Sequence, residues 1–280
     1  MPATAAVVLA GGRSSRMGEP KAGAEWHGST LLRRVAGLVA RGVDGPVVVV
    51  RAPGQELPPL PAAVEVVEDT AHARGPLEGM ATGLAAVQDR AQHAFVCSTD
   101  LPLLHPAYVR AVARAGQDVD VALPVVGGRR QPLAACYRTS LAGRARELLA
   151  QDRGRPAFLL EGADVRLLDE PELLADTALG TADPQLRSVL GANTPEELRV
   201  LRGLPAPEVL VQRFGVLASG GGHGGRTVRA ATLDAAARAV GLVLDRHLLA
   251  AVNGDATGRD GALPLAEGDV VAFLSADAGG

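Results

Sequence analysis

The sequence predicts an α/β protein whose open, mostly parallel sheet is followed by a smaller α+β unit. Three observations support this prediction. Short apolar runs alternate with helical patterns through residues 1–203, as expected for strands connected by helices. Residues 204–207 contain two prolines and are typical of a linker. Residues 208–280 then carry strand, helix and hairpin signals in close succession. We therefore expect two domains, 1–203 and 208–280.

The composition indicates sizeable apolar cores and no general affinity for anions. Hydrophobic residues make up 47% of the chain and aromatic residues 2%, so the cores must be built from valine, leucine and alanine. A net charge of −3 predicts neither a nucleic-acid nor a membrane partner. No apolar run reaches transmembrane length and no basic segment precedes the first one, so we expect a cytoplasmic protein. Cys97 and Cys136 have no neighbour at metal-ligand spacing and are expected to be free, buried thiols.

The first strand and the loop that follows it carry the clearest functional signal. An apolar run over 5–10 predicts a buried strand of a parallel sheet. The loop after it contains three glycines and ends at Lys21, the only lysine among 28 basic residues. Glycines allow backbone N–H groups to approach phosphate oxygens, and a compact ammonium group supplies a point charge for them. This stretch predicts a phosphate-binding loop; the alternative is an ordinary strand–loop–helix turn.

The next elements keep the alternation. Apolar periodicity predicts a helix over 29–41, strands over 46–50 and 64–68, a helix over 76–90, a strand over 93–98, a helix over 106–115 and a strand over 120–126. Asp69 and Asp100 each lie just after one of these strands. Ligands of open α/β sheets bind at the carboxyl ends of the strands. Asp69, Asp100 and the glycine-rich loop are therefore expected to meet at one edge of the sheet.

Turn and capping signals predict the rest of the first domain. We expect a returning strand over 131–138, helices over 140–151 and 156–161, and a strand over 165–169. Residues 170–186 show little periodicity and are predicted to form a loop. Thr194, Pro195 and Glu197 form a capping box, which predicts a helix that ends near Gly203.

The second domain carries the signals of a small sheet around one helix. The predicted elements are strands over 209–214 and 227–231, a helix from Thr232 to Gly241, and strands over 248–252 and 269–274. A flexible turn is expected over 220–225, and Asn253-Gly254 is a strong hairpin signal. The last two residues of the sequence are Gly279 and Gly280.

A glycine-rich loop with one lysine, beside two strand-end carboxylates, suits metal-assisted nucleotidyl transfer. Backbone N–H groups and Lys21 would bind a triphosphate, and a carboxylate would bind Mg²⁺, which prefers oxygen ligands. Such catalysis consists mostly of positioning and charge neutralisation and requires no side-chain nucleophile. His72 and His105 lie near this edge and are expected to be surface or loop histidines rather than catalytic residues.

At these residues the N-terminal region resembles the molybdenum cofactor guanylyltransferase family of nucleotidyltransferases. Five segments occur in the family's order over residues 5–200. They are Leu9-Ala10-Gly11-Gly12-x-Ser14-x-Arg16-Met17-Gly18-x-x-Lys21, Asp69 with Gly75-Pro76-Leu77, Thr99-Asp100-x-Pro102, Gln131-Pro132-Leu133 and Asn193-Thr194-Pro195-Glu196. Two positions depart from the pattern, since Arg51 and Gly191 stand where the family tends to have asparagine.

The resemblance implies a Rossmann-like domain that binds GTP and Mg²⁺. The terminal phosphate of molybdopterin would attack the α-phosphorus of GTP and release pyrophosphate. The nucleotide-binding residues would be Leu9, Ala10, Gly11, Gly12, Lys21, Asp69 and Asp100. Asp100 would also hold the metal and would be catalytic together with Lys21 and Arg16, whereas Asn193 and Gln131 would bind the acceptor. The Gly11-Gly12 pair resembles the guanylyl rather than the cytidylyl branch.

The C-terminal region resembles the small, ubiquitin-like subunit of molybdopterin synthase, a β-grasp sulfur carrier. The segments that carry this likeness are Val252-Asn253-Gly254, Leu265-Ala266-Glu267-Gly268-Asp269-Val270-Val271-Ala272-Phe273 and Gly279-Gly280. The likeness implies that a separate E1-like adenylating enzyme activates Gly280, which becomes a thiocarboxylate for the large subunit of molybdopterin synthase. The alternative for this tail is a disordered glycine-rich terminus.

Two other functions are compatible with these motifs. One is a related nucleotidyltransferase that uses CTP or a different acceptor. The other is a sulfur carrier whose N-terminal domain binds nucleotide without catalysis.

Overall fold

The computed structural model describes residues 3–11, 21–70, 75–218 and 225–275. The chain forms two compact units: the first comprises Met1–Ala24 and Thr30–Arg199, and the second comprises Glu25–Ser29 and Val200–Gly280. The segment 25–29 groups with the second unit, as shown by a hydrogen bond of 3.2 Å from Trp26 Nε1 to the carbonyl of Leu201. Sequence patterns did not predict that grouping.

The predicted strands and helices occur in the predicted order, most with small shifts at their ends, and further short elements lie between them. The strands are β1 (Thr4–Leu9), β2 (Glu25–Trp26), β3 (Ser29–Thr30), β4 (Val47–Arg51), β5 (Val64–Glu68), β6 (His93–Ser98), β7 (Val121–Val126), β8 (Arg129–Arg130), β9 (Ala134–Arg138), β10 (Val165–Leu168), β11 (Glu208–Arg213), β12 (Arg226–Arg229), β13 (Leu248–Val252), β14 (Asp255–Thr257) and β15 (Val270–Ser275). The α-helices are α1 (Leu31–Ala40), α2 (Pro76–Val87), α3 (Pro106–Ala115), α4 (Leu141–Ala150), α5 (Pro156–Leu159), α6 (Glu170–Leu174), α7 (Thr177–Ala182), α8 (Pro195–Gly203) and α9 (Leu233–Ala239). Short 3₁₀ helices occupy Lys21–Gly23, Arg187–Val189 and Gly215–Ala218.

The first unit is built on a sheet with the strand order β10-β7-β9-β6-β1-β4-β5, and β8 pairs with β7 outside this path. The neighbours among β6, β1, β4 and β5 are parallel, as are β10 and β7. Only β9 in this path runs antiparallel, between β7 and β6. The prediction of a mostly parallel α/β sheet is confirmed.

Helices cover both faces of this sheet. On one face, Leu32 of α1 packs in a cluster with Tyr108 of α3. On the other face, Leu84 of α2 packs in a cluster with Ala145 of α4. β1 lies between the two clusters and is buried along its whole length, which explains its uninterrupted apolar run.

The carboxyl ends of four parallel strands lie along one edge of the sheet. Leu9 at the end of β1 is in register with Val50 of β4 and Ser98 of β6. Arg51 at the end of β4 is in register with Glu68 of β5. The residues that follow these strands therefore share one edge, which is the arrangement that the sequence predicts for the site.

The prediction of a loop over 170–186 is wrong, because this segment contains α6 and α7. Each helix begins at an aspartate N-cap: Asp169 accepts a hydrogen bond from the N–H of Glu172 at 2.8 Å, and Asp176 accepts one from Leu179 at 2.9 Å. Helices of five and six residues are too short to display a full apolar period, so periodicity missed them.

The predicted strand over 131–138 is also shorter in the structure. The N–H of Ala134 donates to the carbonyl of Gln131 at 3.1 Å, which closes a turn before β9 begins.

The second unit contains a five-stranded sheet with the order β12-β11-β15-β13-β14. β11 and β15 are parallel, and the other neighbours are antiparallel. Leu233 of α9 packs with Phe273 of β15 in the core of this unit. The structure adds β14 to the four predicted strands. Asn253 and Gly254, with φ of 54° and 91°, form the tight turn that returns the chain into it.

Several predictions fall on residues 12–20, 71–74, 219–224 and 276–280, outside the described part of the chain. They concern Gly12, Arg16, His72, most of the 220–225 turn, Gly279 and Gly280. Among the described helices, none has the length and apolar character needed to cross a membrane.

Candidate active site

Three side chains predicted from separate motifs meet at the carboxyl edge of the sheet. The ammonium group of Lys21 lies 3.2 Å from Asp100 Oδ2 and donates a hydrogen bond of 3.2 Å to Asn193 Oδ1. The Lys21 and Asp100 side chains are 22% and 12% exposed, so the ion pair is accessible to a ligand but well shielded from water. Residues separated by 172 positions in the chain thus form one polar cluster.

The Asp100 loop is held from two sides. The Ser98 hydroxyl donates to Asp100 Oδ1, and the N–H of Ala192 donates to the Asp100 carbonyl at 2.9 Å. Below the loop, Arg34 of α1 is 1% exposed and its Nε donates to the carbonyl of Pro102 at 2.6 Å. A buried guanidinium group requires such hydrogen bonds, so α1 fixes the loop that carries Asp100.

The capping box at the start of α8 places Asn193. The N–H of Glu197 donates to Thr194 Oγ1 at 3.1 Å, and the Glu197 carboxylate accepts from the N–H groups of Thr194 and Asn193 at 3.1 and 2.6 Å. This confirms the predicted box. The Glu197 carboxylate also holds the Asn193 backbone. The cap therefore orients the Asn193 side chain, whose amide oxygen accepts from Lys21.

The start of the glycine-rich loop packs tightly against the segment after β4. The N–H groups of Ala10 and Gly11 donate to the Val50 carbonyl at 2.8 and 3.2 Å. A β-carbon on Gly11 would lie 3.0 Å from the backbone nitrogen of Ala52, so a larger residue would force this backbone apart. Leu9 and Ala10 are buried beside it.

Gln55 joins these two segments. Its Nε2 donates to the Ala10 carbonyl at 3.1 Å, and its Oε1 accepts from the N–H of Ala52 at 2.9 Å. Arg51, one of the two departures noted in the sequence, forms an ion pair of 2.9 Å with Glu68 and donates to the Gln55 carbonyl at 3.1 Å. The Arg51 side chain therefore helps to position Gln55, which joins the start of the glycine-rich loop to the segment after β4.

Asp69 lies at the same edge, after β5. Its N–H donates to the Arg51 carbonyl at 2.9 Å. Burial raises the pKa of its carboxyl group, a hydrogen bond with the Thr82 hydroxyl opposes that rise, and the charge of Glu78 adds to it.

Gln131 and His105 have local contacts. Gln131 Nε2 donates to the Arg129 carbonyl at 3.2 Å within its own turn. His105 is the N-cap of α3 and its Nδ1 accepts from the N–H of Ala107 at 3.0 Å. His105 therefore has a local capping contact at the start of α3.

The oxygen ligands of the cluster fit a hard divalent cation. The Asp100 carboxylate and the Asn193 amide oxygen already surround one positive charge, the ammonium group of Lys21. No group of three His, Cys, Asp or Glu side chains with metal-ligand geometry occurs among the described residues. Mg²⁺ is commonly held by one or two carboxylates, with the remaining positions filled by phosphate oxygens and water. Asp100 alone satisfies that requirement.

The two cysteines take no part in this chemistry. Cys97 and Cys136 are free and buried, as predicted. Burial raises the pKa of the Cys136 thiol to about 12 and the pKa of the Cys97 thiol further, helped by the charge of Asp100. Both thiols therefore stay protonated and act as small apolar side chains.

Comparison with known proteins identifies the family. Residues 6–165 match the family described as the MobA-like NTP transferase domain. This chain belongs to that family. A protein of Mycobacterium avium (strain 104) named "probable molybdenum cofactor guanylyltransferase" is 35% identical over 202 residues, which cover 70% of this chain and 94% of that protein. A protein of the same name from Mycobacterium ulcerans (strain Agy99) is 40% identical over 167 residues, 58% of this chain and 81% of that protein. The chain is therefore a nucleotidyltransferase.

Solved structures share the fold over about 70% of this chain. The molybdopterin-guanine dinucleotide biosynthesis protein A from Archaeoglobus fulgidus superposes with a TM-score of 0.55 at 20% sequence identity, over 71% of this chain and 97% of that chain. The Rv0371c protein from Mycobacterium tuberculosis H37Rv gives a TM-score of 0.53, also at 20% identity, over 72% and 98%. At this level of identity the likeness concerns the fold alone.

Sequence patterns missed two residues that hold the candidate site together, Gln55 and Arg34. A glutamine in a proline-rich loop carries no positional signal. Arg34 occupies a helix position where a charged residue is normally exposed.

Proposed function

We propose that this nucleotidyltransferase transfers GMP from GTP to the terminal phosphate of molybdopterin. The observation that carries the proposal is the Lys21–Asp100–Asn193 cluster beside the glycine-rich loop. The names of the relatives, which cover 70% of the chain at 35% identity, support guanylyl transfer to this acceptor. In the reaction a terminal phosphate oxygen of molybdopterin forms a bond to the α-phosphorus, the bond to the bridging oxygen breaks, and pyrophosphate leaves with that electron pair.

The residues of this chain provide binding and positioning. Lys21 and the N–H groups of the loop, with Leu9, Ala10, Gly11 and Gly12, bind the nucleotide, and the ammonium group neutralises charge on the triphosphate. Asp100 holds Mg²⁺, which, when bound, withdraws charge from the phosphate oxygens.

Further roles are assigned by motif and position. Asp69 binds the nucleotide at the end of β5, and Arg16 assists catalysis from the loop. Asn193 and Gln131 bind the acceptor, and the contact of Asn193 with Lys21 supports its position beside the reacting phosphates.

The test is pyrophosphate release from GTP with Mg²⁺ and molybdopterin, compared with CTP and ATP. Lys21→Ala and Asp100→Ala should each lower kcat by about 10²- to 10³-fold, the range observed when a positioned charge is removed from an active site. Asp120→Ala, a carboxylate that pairs with Arg138, is the matched control and should retain activity. A clear preference for CTP, or unchanged release in the Lys21 and Asp100 variants, would contradict the proposal.

A second function is favoured by the sheet of the C-terminal unit. Two parallel central strands, β11 and β15, flanked by antiparallel strands and covered by α9, support a β-grasp domain over 208–280, with 204–207 as its linker. We propose that this domain is a sulfur carrier that ends in Gly279-Gly280. The Gly280 carboxylate attacks the α-phosphorus of ATP in an E1-like enzyme and pyrophosphate leaves; hydrosulfide from a sulfur donor then attacks the acyl carbon, and AMP leaves with the electron pair of the broken C–O bond to give a thiocarboxylate. The large subunit of molybdopterin synthase would use the sulfur of this thiocarboxylate.

This second proposal is tested at the terminus. One residue added after Gly280 should abolish thiocarboxylate formation, measured by mass spectrometry after incubation with an activating enzyme, ATP and a sulfur donor. The guanylyl activity of the same protein should be unchanged and serves as the control. Sulfur transfer from the extended chain would refute the carrier role.

A further inference from the structure

A tight hairpin between β7 and β8 carries two adjacent arginines, Arg129 and Arg130. The two residues of its turn, Gly127 and Gly128, have φ of 59° and 69°, the left-handed conformation that a two-residue hairpin turn favours. The N–H of Gly127 donates a hydrogen bond of 2.7 Å to Glu170 Oε1 at the start of α6. The turn is therefore anchored, and the two arginines are held on a short, well-supported piece of backbone.

The hairpin lies on the side of β7 that faces β6. The carbonyl groups of Asp120, just before β7, and of Pro124 within it are four positions apart and point to the same side of the strand. They accept from the N–H groups of Arg138 in β9 and of Gln131, which directly follows β8, at 2.7 and 2.9 Å. β8 and β9 therefore border the same side of β7, and β6 is the next strand beyond β9.

The hairpin also lies at the carboxyl edge of the sheet, where the candidate active site is found. β9 is antiparallel to both β7 and β6, so β7 and β6 run in the same direction. Cys136 of β9 pairs with Ala122 of β7 and with Phe95 of β6. Three positions farther along, Val125 is level with Ser98, the last residue of β6.

Arg130 shares both the level and the face of Ser98. It pairs with Val125, and Leu123, two positions before Val125, belongs to the apolar cluster on the α2 face of the sheet. Val96, two positions before Ser98, belongs to the same cluster. Because strand residues two positions apart point to one face, Arg130 lies on the same face as Ser98 and within two strand spacings, about 10 Å, of it.

The two arginines differ in their relation to Asp100. The Ser98 hydroxyl donates to Asp100 Oδ1, so Arg130 lies on the face from which that carboxylate is held. Arg129 pairs with Val126, which packs against the apolar cluster on the other face. Only Arg130 is therefore placed to reach a group that binds beside Asp100.

Both arginines are exposed, and neither has a carboxylate partner among the residues that the structure describes. Arg138 on β9 differs from them, since it forms an ion pair of 2.9 Å with Asp120. A guanidinium group can donate two parallel hydrogen bonds to a phosphate. An anion can therefore bind Arg130 without breaking an ion pair of the described chain.

The proposed reaction brings two phosphates together. Lys21 and the loop after β1 bind the triphosphate, whereas the hairpin lies beyond β6 on the opposite side of Asp100, in the order β7-β9-β6-β1. The attacking and leaving oxygens of such a displacement lie roughly in line, so the acceptor approaches from the side away from the leaving pyrophosphate. The negative charge of the acceptor repels the triphosphate, and a cation on that side offsets the repulsion.

We propose that Arg130 binds the terminal phosphate of the acceptor. This inference rests on the transfer proposed above and adds a positive charge to the acceptor contacts of Gln131 and Asn193. The guanidinium group holds two oxygens of the phosphate, leaves the third oxygen to attack, and reduces the repulsion between the acceptor and the triphosphate. Arg129 takes no part in this contact.

The test is acceptor binding without turnover. Binding of molybdopterin is measured by calorimetry with Mg²⁺ and α,β-methylene-GTP, whose methylene bridge cannot release pyrophosphate. Arg130→Ala should weaken this binding by about 10- to 100-fold, the range of a hydrogen bond to a charged group. Arg129→Ala removes the same charge from the same hairpin on the opposite face, and should change the binding by no more than about twofold.

Two further measurements separate a phosphate contact from a structural effect. In turnover with GTP, Arg130→Ala should raise KM for molybdopterin and leave KM for GTP unchanged. Arg130→Lys keeps the charge but loses the planar fork, so its affinity for molybdopterin should lie between those of wild type and Arg130→Ala. Since both side chains are exposed, all three variants should have the wild-type Tm.

The outcomes distinguish this inference from the proposed function. If Arg130→Ala binds molybdopterin as tightly as wild type does, Arg130 does not bind the acceptor and guanylyl transfer still stands. An equal loss in Arg129→Ala and Arg130→Ala would show a general attraction by the charge of the hairpin and would overturn the site. A loss of affinity for the GTP analogue alone would assign Arg130 to the triphosphate instead. If wild type does not bind molybdopterin at all, the proposed function fails and this inference fails with it.

Discussion

At the scale of single residues, the surroundings of Asp69 disfavour the ionised form of its carboxyl group. Burial is the largest cause of its raised pKa, and the charge of Glu78 adds to the effect. The native state therefore binds a proton at Asp69 more tightly than the unfolded chain does. The stability that this proton gives is complete below the ordinary pKa of 3.8 and is lost as the pH rises through the raised native value.

Asp69→Asn is expected to stabilise the fold at neutral pH and to weaken nucleotide binding. The neutral amide removes the unfavourable charge, and its carbonyl oxygen can still accept from Thr82. The gain in the free energy of unfolding should disappear once the pH falls below 3.8, because the carboxyl group is then protonated in both states. Urea unfolding at several pH values, together with GTP titration, measures both effects. A loss of stability at neutral pH would show that Asp69 is stabilising in the free protein.

At the scale of elements, α2 approaches β1 closely because glycine stands at the contact. A β-carbon on Gly83 would lie 2.2 Å from Val7 Cγ1 and 3.0 Å from Val50 Cγ2. These valines belong to the strands whose carboxyl ends carry the glycine-rich loop and Arg51. Gly83 therefore sets how closely α2 packs against β1 and β4.

Gly83→Ala is expected to destabilise the protein by about 1 to 3 kcal/mol, the usual result of overpacking a core. The matched control is Gly143→Ala in α4, where the added β-carbon meets no atom within 4 Å. That change should stabilise the protein by about 0.5 to 1 kcal/mol, since alanine favours a helix over glycine. Chemical denaturation of both variants measures the difference. Equal effects at the two positions would contradict the packing argument.

At the scale of the whole molecule, each compact unit has its own apolar core. The first unit has a cluster on either face of its sheet, and the second has a cluster between its sheet and α9. The residues of the candidate nucleotide site all belong to the first unit. Ligand binding stabilises the part of a protein that forms the site.

Calorimetric unfolding is therefore expected to show two transitions. GTP with Mg²⁺ should raise the midpoint temperature of only one of them. At a nucleotide concentration of 100 times Kd, the first unit should gain about 2.7 kcal/mol. Differential scanning calorimetry with and without nucleotide, supported by hydrogen exchange at β1 and at β15, assigns the transitions. A single transition that shifts as a whole would show that the two units unfold together.

The sequence alone determined the order of the elements and the residues that follow the strands. The apolar runs of β1, β4 and β6 are continuous because both faces of those strands are buried, so periodicity and length identified them. Local hydrogen bonds made the capping box at Thr194 and the turn at Asn253 predictable as well. The short helices α6 and α7 were missed because five or six residues do not complete an apolar repeat.

Only the tertiary structure decided which distant residues meet. The hydrogen bonds that hold Lys21 to Asn193, Gln55 to Ala10 and Arg34 to Pro102 join positions 172, 45 and 68 residues apart. No local pattern encodes such pairs, because strand order and helix packing set their distances. The same holds for Asp69 and Glu78: the sequence shows two carboxylates, whereas the structure shows that both are largely buried and that one oxygen of each accepts no hydrogen bond from the described residues.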